Sequence, residues 1–239
     1  MKKLQIILLL YSSFIFSQQK FSGIIEYTVK ADETFQSNKG KKNLPIFFSI
    51  PANFVLKFTE NESLYQKQNK SMKIENENKI KISFLDLTGG GSGIFYTNRN
   101  SRELILKKEA YGEEFLITHK IAEWEITQET KKIGEYTCYK AIRKYKDYEK
   151  KDSKLSAKNS KRISAWFTLQ IPVPYGPNLY NGLPGLVLEV NFGKIVFKVT
   201  KIILNPTKKI VLKKPSGGIK INEIEYYKKA LEIGESIGF

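Results

Sequence analysis

Apolar and polar residues alternate with a period of two through most of this chain, and that alternation constrains its fold more than any other feature. In residues 23–30, Ile25, Tyr27 and Val29 fall on one face. In residues 79–84, Ile80, Ile82 and Phe84 face one way and Lys79, Lys81 and Ser83 the other. Successive side chains of a strand point to opposite faces, so such runs place one face on a core and leave the other wet. Further strand-length runs lie at 94–97, 103–106 and 114–118, around Trp124 and Ile126, and at 133–145, 163–169, 186–190, 194–204 and 209–213. They are rich in β-branched and aromatic residues and are separated by polar turns. In 133–145, Tyr136, Cys138 and Ile142 oppose Thr137, Tyr139 and Ala141. The period changes at the C-terminus. There Ile221, Ile224, Tyr226 or Tyr227, and Leu231 recur at helical spacing, and Gly234 can end a helix, so residues 219–233 are predicted helical. The expected fold is mainly β: an antiparallel sheet or open half-barrel with a short C-terminal helix. The strands are not the regular outward-apolar segments of a membrane-spanning barrel.

The N-terminus carries an address. Lys2 and Lys3 precede an apolar stretch over residues 4–16, followed by the small or polar Ser17, Gln18 and Gln19. That order matches a secretory signal peptide and is too short to cross a bilayer comfortably, which takes roughly 20 helical residues. The expectation is a signal peptide over residues 1–19 and one β-rich domain over residues 20–239, exported to the periplasm or cell envelope or secreted. No later run approaches about 18 uninterrupted apolar residues, so no transmembrane segment is expected after signal removal.

The formal charge is +16, and +14 without Lys2 and Lys3. Such a surface suits solubility or attraction to anionic lipid or glycan. An exported chain rarely meets nucleic acid, and no recognition-helix, zinc-finger or RNP-like pattern occurs, so nucleic acid is not the expected partner. Cys138 is the single cysteine. Flanked by Tyr136 and Tyr139 in a strand-like run, it reads as a buried core thiol, and no internal disulfide is possible.

Catalytic signals are weak. The run Gly89-Gly90-Gly91-Ser92-Gly93 leads into Ile94-Phe95-Tyr96 without a helix pattern, so it is no dinucleotide fingerprint. Ser92 has Ile94 where a nucleophile elbow needs glycine. A flexible hairpin turn is the expected role. His119 is the only histidine, and Glu123, four residues on, would join it only on a helix. No metal site and no cofactor are expected. Paired carboxylates for glycan or peptide hydrolysis are available in number, but the sequence does not say which would converge. Residues 146–162, polar and lysine-rich, read as an exposed hairpin loop between two long strands, with electrostatic docking as a possible use.

The most informative stretch runs from Ala165 to Val190. Pro172, Pro174 and Pro177 fix φ and remove three backbone donors, and Gly176 and Gly182 permit tight turns. Leu183, Pro184 and Gly185 lead into an apolar strand beginning Leu186 and Val187. The expected structure is a rigid hydrophobic loop, with Tyr175, Tyr180 and Leu183 packed over one end of the sheet and Gly185 turning the chain, with positive φ one way for it to do so. The candidate binding or structural motif is therefore Tyr175, Gly176, Pro177, Gly182, Leu183, Pro184, Gly185, Leu186 and Val187.

The hexapeptide Gly182-Leu183-Pro184-Gly185-Leu186-Val187 resembles the hallmark of the GLPGLI family, found mainly in Bacteroidetes, with valine in the last place. Ile171-Pro172-Val173, Gly176-Pro177, Ala165 to Thr168, the run from Lys132 to Ala141 and the opening Gly23-x-Ile25-x-Tyr27 also resemble the family pattern. The lysine-rich segment before Arg162 departs from it. The resemblance implies an exported envelope or periplasmic protein and supplies no catalytic residue. The leading expectation is a non-enzymatic protein that binds an apolar or peptide-like partner, such as an envelope protein, lipid or glycan. A lipid-holding half-barrel is one version. The alternatives are a hydrolase using an Asp/Glu pair and a structural or secretion accessory protein.

Overall fold

The computed structural model describes residues 21–32, 50–68, 84–151 and 154–236, with residues 144–161 and 234–236 described as backbone only. The expected signal peptide lies outside these residues, as do residues 79–83 of one expected strand. The elements are β1 (Gly23–Ala31), β2 (Ala52–Phe58), β3 (Glu62–Lys67), α1 (Phe84–Gly89), β4 (Ile94–Asn98), β5 (Glu103–Ala110), β6 (Glu113–His119), β7 (Glu125–Ile133), β8 (Tyr136–Lys151), β9 (Lys154–Thr168), β10 (Leu186–Phe192), β11 (Ile195–Leu204), β12 (Ile219–Asn222) and α2 (Glu223–Ser236). All strands among the described residues join one 12-stranded open sheet in the order β12-β6-β5-β4-β3-β2-β1-β11-β10-β9-β8-β7. Every pairing is antiparallel except β12 on β6, which is parallel. The mainly β expectation, with a short C-terminal helix, is met.

Chain geometry requires this sheet to curl. β6 is second in the order and β7 is last, so ten inter-strand gaps of about 4.8 Å separate them, about 48 Å along a flat sheet. Only residues 120–124 connect them. Six steps from His119 to Glu125 reach at most about 22 Å. The two ends must therefore face each other around a hollow, as in a half-barrel.

The inner face of that curve carries the core. β1 shows the alternation in its simplest form: Ile25, Tyr27, Val29 and Ala31 are buried and the residues between them are not. Register places Leu56 opposite Ile25 and also opposite Tyr65, and Tyr65 opposite Phe95, so the apolar face continues across β2, β3 and β4. On the other side it runs through Phe197, Val190, Ala165 and Ala141. Tyr65 stacks on Phe54 at 5.2 Å between ring centroids and meets Phe95 edge-on at 5.7 Å. α1 lies over this face, with Leu85 fully buried and Gly89 against the Phe54 ring, where a Cβ would sit 2.1 Å from a ring carbon.

Several local expectations are corrected. Phe84 starts α1 instead of ending a strand. The glycine run 89–93 is the exit from α1 into β4, with φ of +128° at Gly90 and +57° at Gly91, and not a hairpin turn. Residues 133–145 are not one strand: Gly134 and Glu135 form a two-residue hairpin between β7 and β8, with Gly134 at φ +59°. Residues 146–162 are not a loop, because the β8–β9 ladder runs through them to Lys151 opposite Lys154. Residues 209–213 form no strand. The C-terminal helix starts at Glu223, because Ile219–Asn222 is β12. Cys138 and Ala141 are both fully buried, although the alternation sets them on opposite faces.

Candidate functional site

Adjacent antiparallel strands can be joined by two residues, yet residues 169–185 intervene between the neighbours β9 and β10. This connection folds onto the inner face. Ile171, Val173, Tyr175, Tyr180 and Leu183 are all buried in the main core. Tyr175 packs on Phe58 at 5.9 Å and its hydroxyl donates to the Glu60 carbonyl at 3.2 Å. Burial pushes the Tyr175 phenol well above its ordinary range. Tyr180 meets Phe197 edge-on at 5.2 Å.

The loop holds its own backbone, as buried polar groups must. Gly176 N–H donates to Asn181 Oδ1 at 2.9 Å, and the Asn181 side-chain amide donates to the Asn178 carbonyl at 3.2 Å. Leu186 N–H donates to the Ile171 carbonyl at 2.9 Å and Val187 N–H to the Tyr175 carbonyl at 3.0 Å. From β1, two places away in the sheet, the Tyr27 hydroxyl donates to the Val187 carbonyl at 2.6 Å. Asn178 Nδ2 reaches the Thr88 carbonyl at 3.1 Å and so ties the loop to α1.

Two glycines exist for close approach. A Cβ at Gly176 would stand 2.1 Å from the Tyr180 carbonyl oxygen, and one at Gly185 2.0 Å from that of Thr168. Gly185 thus serves by lacking a side chain, whereas Gly182 has the positive φ, +98°. Of the nine motif residues, Tyr175, Gly176, Pro177, Leu183, Gly185, Leu186 and Val187 are buried, and Gly182 and Pro184 are exposed.

A second grouping forms where the walls converge. Trp124, at the end of the 120–124 bridge, donates from Nε1 to the Asn181 carbonyl at 2.9 Å. The Arg143 guanidinium of β8 lies 5.2 Å from the Trp124 ring centroid and 5.3 Å from that of Tyr180. These are cation–π distances to both. From the opposite wall, His119 Nδ1 lies 3.4 Å from Glu223 Oε2. The hydrogen bond from His119 lowers the Glu223 carboxyl below its ordinary range, with burial opposing and the charges of His119 and Arg143 adding to the lowering. The Arg143 charge of β8 therefore acts on Glu223 at the start of α2, although β8 and the β12 that leads into α2 lie far apart in the sheet order. His119 Nε2 is buried with no hydrogen-bond partner among the described residues.

Sequence reasoning found the loop and weighed His119 beside Glu123. The structure pairs His119 with Glu223 instead. Arg143, Trp124 and Glu223 went unread as a group because no local spacing joins them; only the short bridge between β6 and β7, set against the sheet order, could have signalled it. On the outer face, Lys131 bonds Glu189 at 2.7 Å and lies 4.4 Å from the Trp166 ring centroid. Burial pushes the neighbouring Cys138 thiol up to about 11, with Lys131 opposing. Among the described residues, no helix is long and apolar enough to cross a membrane.

The fold and site thus define an open, curled antiparallel sheet whose inner face is filled by its own proline–glycine loop. A family described as "Protein of unknown function (Porph_ging)" matches residues 124–189, which span the hairpin from β7 to β10 and the whole loop. No curated protein matches the chain. Among solved structures, PNGF-II in two space groups is similar in fold. One match has 16% identity and a TM-score of 0.53 over 88% of this chain and 32% of that one. The other has 14% identity and a TM-score of 0.53 over 89% and 33%. The chain spans about a third of the length of those solved chains.

Proposed function

We propose that this chain is an exported cell-envelope protein that binds a peptide-like partner at the mouth of its half-barrel. The single observation behind this reading is the placement of the Arg143 guanidinium between the Trp124 and Tyr180 rings, where its charge also acts on Glu223. Apolar rings next to a guanidinium and a carboxylate suit a partner that offers side chains and backbone amides together. An apolar acyl chain is less well served, because residues 169–185 and α1 already cover the inner face. Hydrolysis through the sole histidine is disfavoured because His119 Nε2, unpaired among the described residues, is shut away from solvent. The matched segment 124–189 also contains residues 132–141 and 182–187, which carry the GLPGLI resemblance, and we read the two as one family.

A photo-crosslinking residue at exposed Glu123 tests this in growing cells. The expected result is a discrete peptide or protein adduct, lost on Arg143→Ala in a variant with an unchanged denaturation midpoint. Turnover of a peptide or glycan by the purified chain, abolished by Glu223→Gln, would instead establish the hydrolase reading.

A further inference from the structure

We propose that the outer half of the β8–β9 hairpin is a projecting arm that docks on the surface of an anionic lipid bilayer. β7 pairs with β8 only as far as Glu125 opposite Ile142. β10 pairs with β9 only as far as Phe192 opposite Ile163. Beyond those points the β8–β9 ladder continues to Lys151 opposite Lys154 with no further strand beside it among the described residues. About nine residues a strand at about 3.4 Å each carry it about 30 Å past the sheet.

A two-stranded ribbon without a core is marginal on its own, and this one carries an added burden. Residues 144–162 hold seven lysines and one arginine against three acids. Register sets one opposite-charge pair, Asp147 opposite Lys158, against two like-charge pairs, Lys144 opposite Arg162 and Lys151 opposite Lys154, and like charges directly opposite one another destabilise a ladder. An anionic surface removes that repulsion.

A bilayer suits the segment better than a soluble polyanion because Tyr145 and Tyr148 are interleaved with the lysines, and tyrosine favours the membrane interface. Each basic residue held at an anionic bilayer strengthens binding about fivefold. Docking of the arm is independent of the mouth and of its partner.

The test is vesicle co-sedimentation of the full chain, using phosphatidylcholine vesicles with and without phosphatidylglycerol. A first variant carries Lys144→Gln, Lys151→Gln, Lys154→Gln and Arg162→Gln. A second replaces residues 146–160 by Asn-Gly, joining Tyr145 to Lys161 through a two-residue turn. Any contribution of residues 1–19 is common to all three chains. The expected result is binding that requires phosphatidylglycerol, weakens steeply with salt and falls at least ~10-fold in both variants. Denaturation midpoints equal to or above that of the parent show that both variants fold. Equal binding by folded variants, or capture by heparin with none by vesicles, overturns the proposal. If one variant fails to fold, the other decides.

Discussion

At Gly185 a single missing methyl group decides the path of the loop. Its Cβ position lies 2.0 Å from the Thr168 carbonyl oxygen, so any side chain must push two strands apart. Gly185→Val is expected to cost about 1–3 kcal/mol or more, as overpacking does. Gly134→Ala, in open space at φ +59°, should cost only about 1 kcal/mol of left-handed strain. Leu186 is fully buried, and Leu186→Ala should cost about 2–5 kcal/mol. Chemical denaturation of the three variants checks the ranking; a Gly185→Val midpoint no lower than that of Gly134→Ala would refute the close-approach account. The reactivity of Cys138 is a separate matter. With the thiol fully buried and its pKa pushed up to about 11, a disulfide reagent at pH 8 should label it only as fast as the protein unfolds. Gly185 and Cys138 show how far residue-level reading reaches. The motif and the buried thiol are legible from residue type and neighbours. The reason for Gly185 is not, because it lies in a carbonyl seventeen positions earlier in the chain.

One cause of a misread element is that a single residue can satisfy two periods. Ile221 belongs both to the helical series Ile221, Ile224 and to the alternating pair Ile219, Ile221, and the structure uses the second, in β12. The helix start was legible by another rule. Asn222 and Glu225 form a reciprocal cap: Asn222 Oδ1 accepts from Glu225 N–H and Glu225 Oε2 from Asn222 N–H, both at 3.0 Å. Residues 146–162 read as a loop because their polar composition resembles one, whereas a ladder needs only backbone groups. β2 and β3 were missed although Phe54, Leu56 and Phe58 alternate. Just past its cap, α2 holds Glu223 against His119, and the Glu223 carboxyl is held below its ordinary range. A depressed carboxyl contributes stability above its unfolded pKa and loses it as pH falls through the folded value. Acid titration should therefore loosen the docking of α2 at and below the ordinary carboxyl range. Glu223→Gln should remove that limb and leave neutral-pH helicity intact. Circular dichroism against pH checks this; an identical acid limb in the variant would show that other carboxylates set it.

At the scale of the whole molecule, two things could hold the sheet in its curl: the short covalent bridge of residues 120–124, or the packing inside. The bridge limits how far β6 and β7 can separate, but it does not by itself reward their approach. The inside does: Leu183, Tyr175 and Tyr180 lie in one continuous buried cluster with β1, β2, β9, β10 and β11, and Asn178 joins the loop to α1. Loop-closure entropy is a weak function of length, about 0.6 kcal/mol per doubling. Inserting six Gly/Ser residues between Lys120 and Ile121 roughly doubles the bridge, so it should lower stability by about that amount and leave the radius of gyration almost unchanged. Leu183→Ala removes a side chain that is 1% exposed and should cost about 2–5 kcal/mol. Denaturation of both variants, with small-angle scattering of the folded proteins, separates the two causes. If the insertion costs as much as Leu183→Ala, or the molecule opens measurably when the bridge is lengthened, then the covalent tether shapes the half-barrel and the loop merely fills a curve already made. If only Leu183→Ala is costly, the proline–glycine loop is the element around which the sheet wraps. Its first role is then architectural, and the grouping of Trp124, Tyr180, Arg143 and Glu223 at the mouth is a consequence of that wrapping.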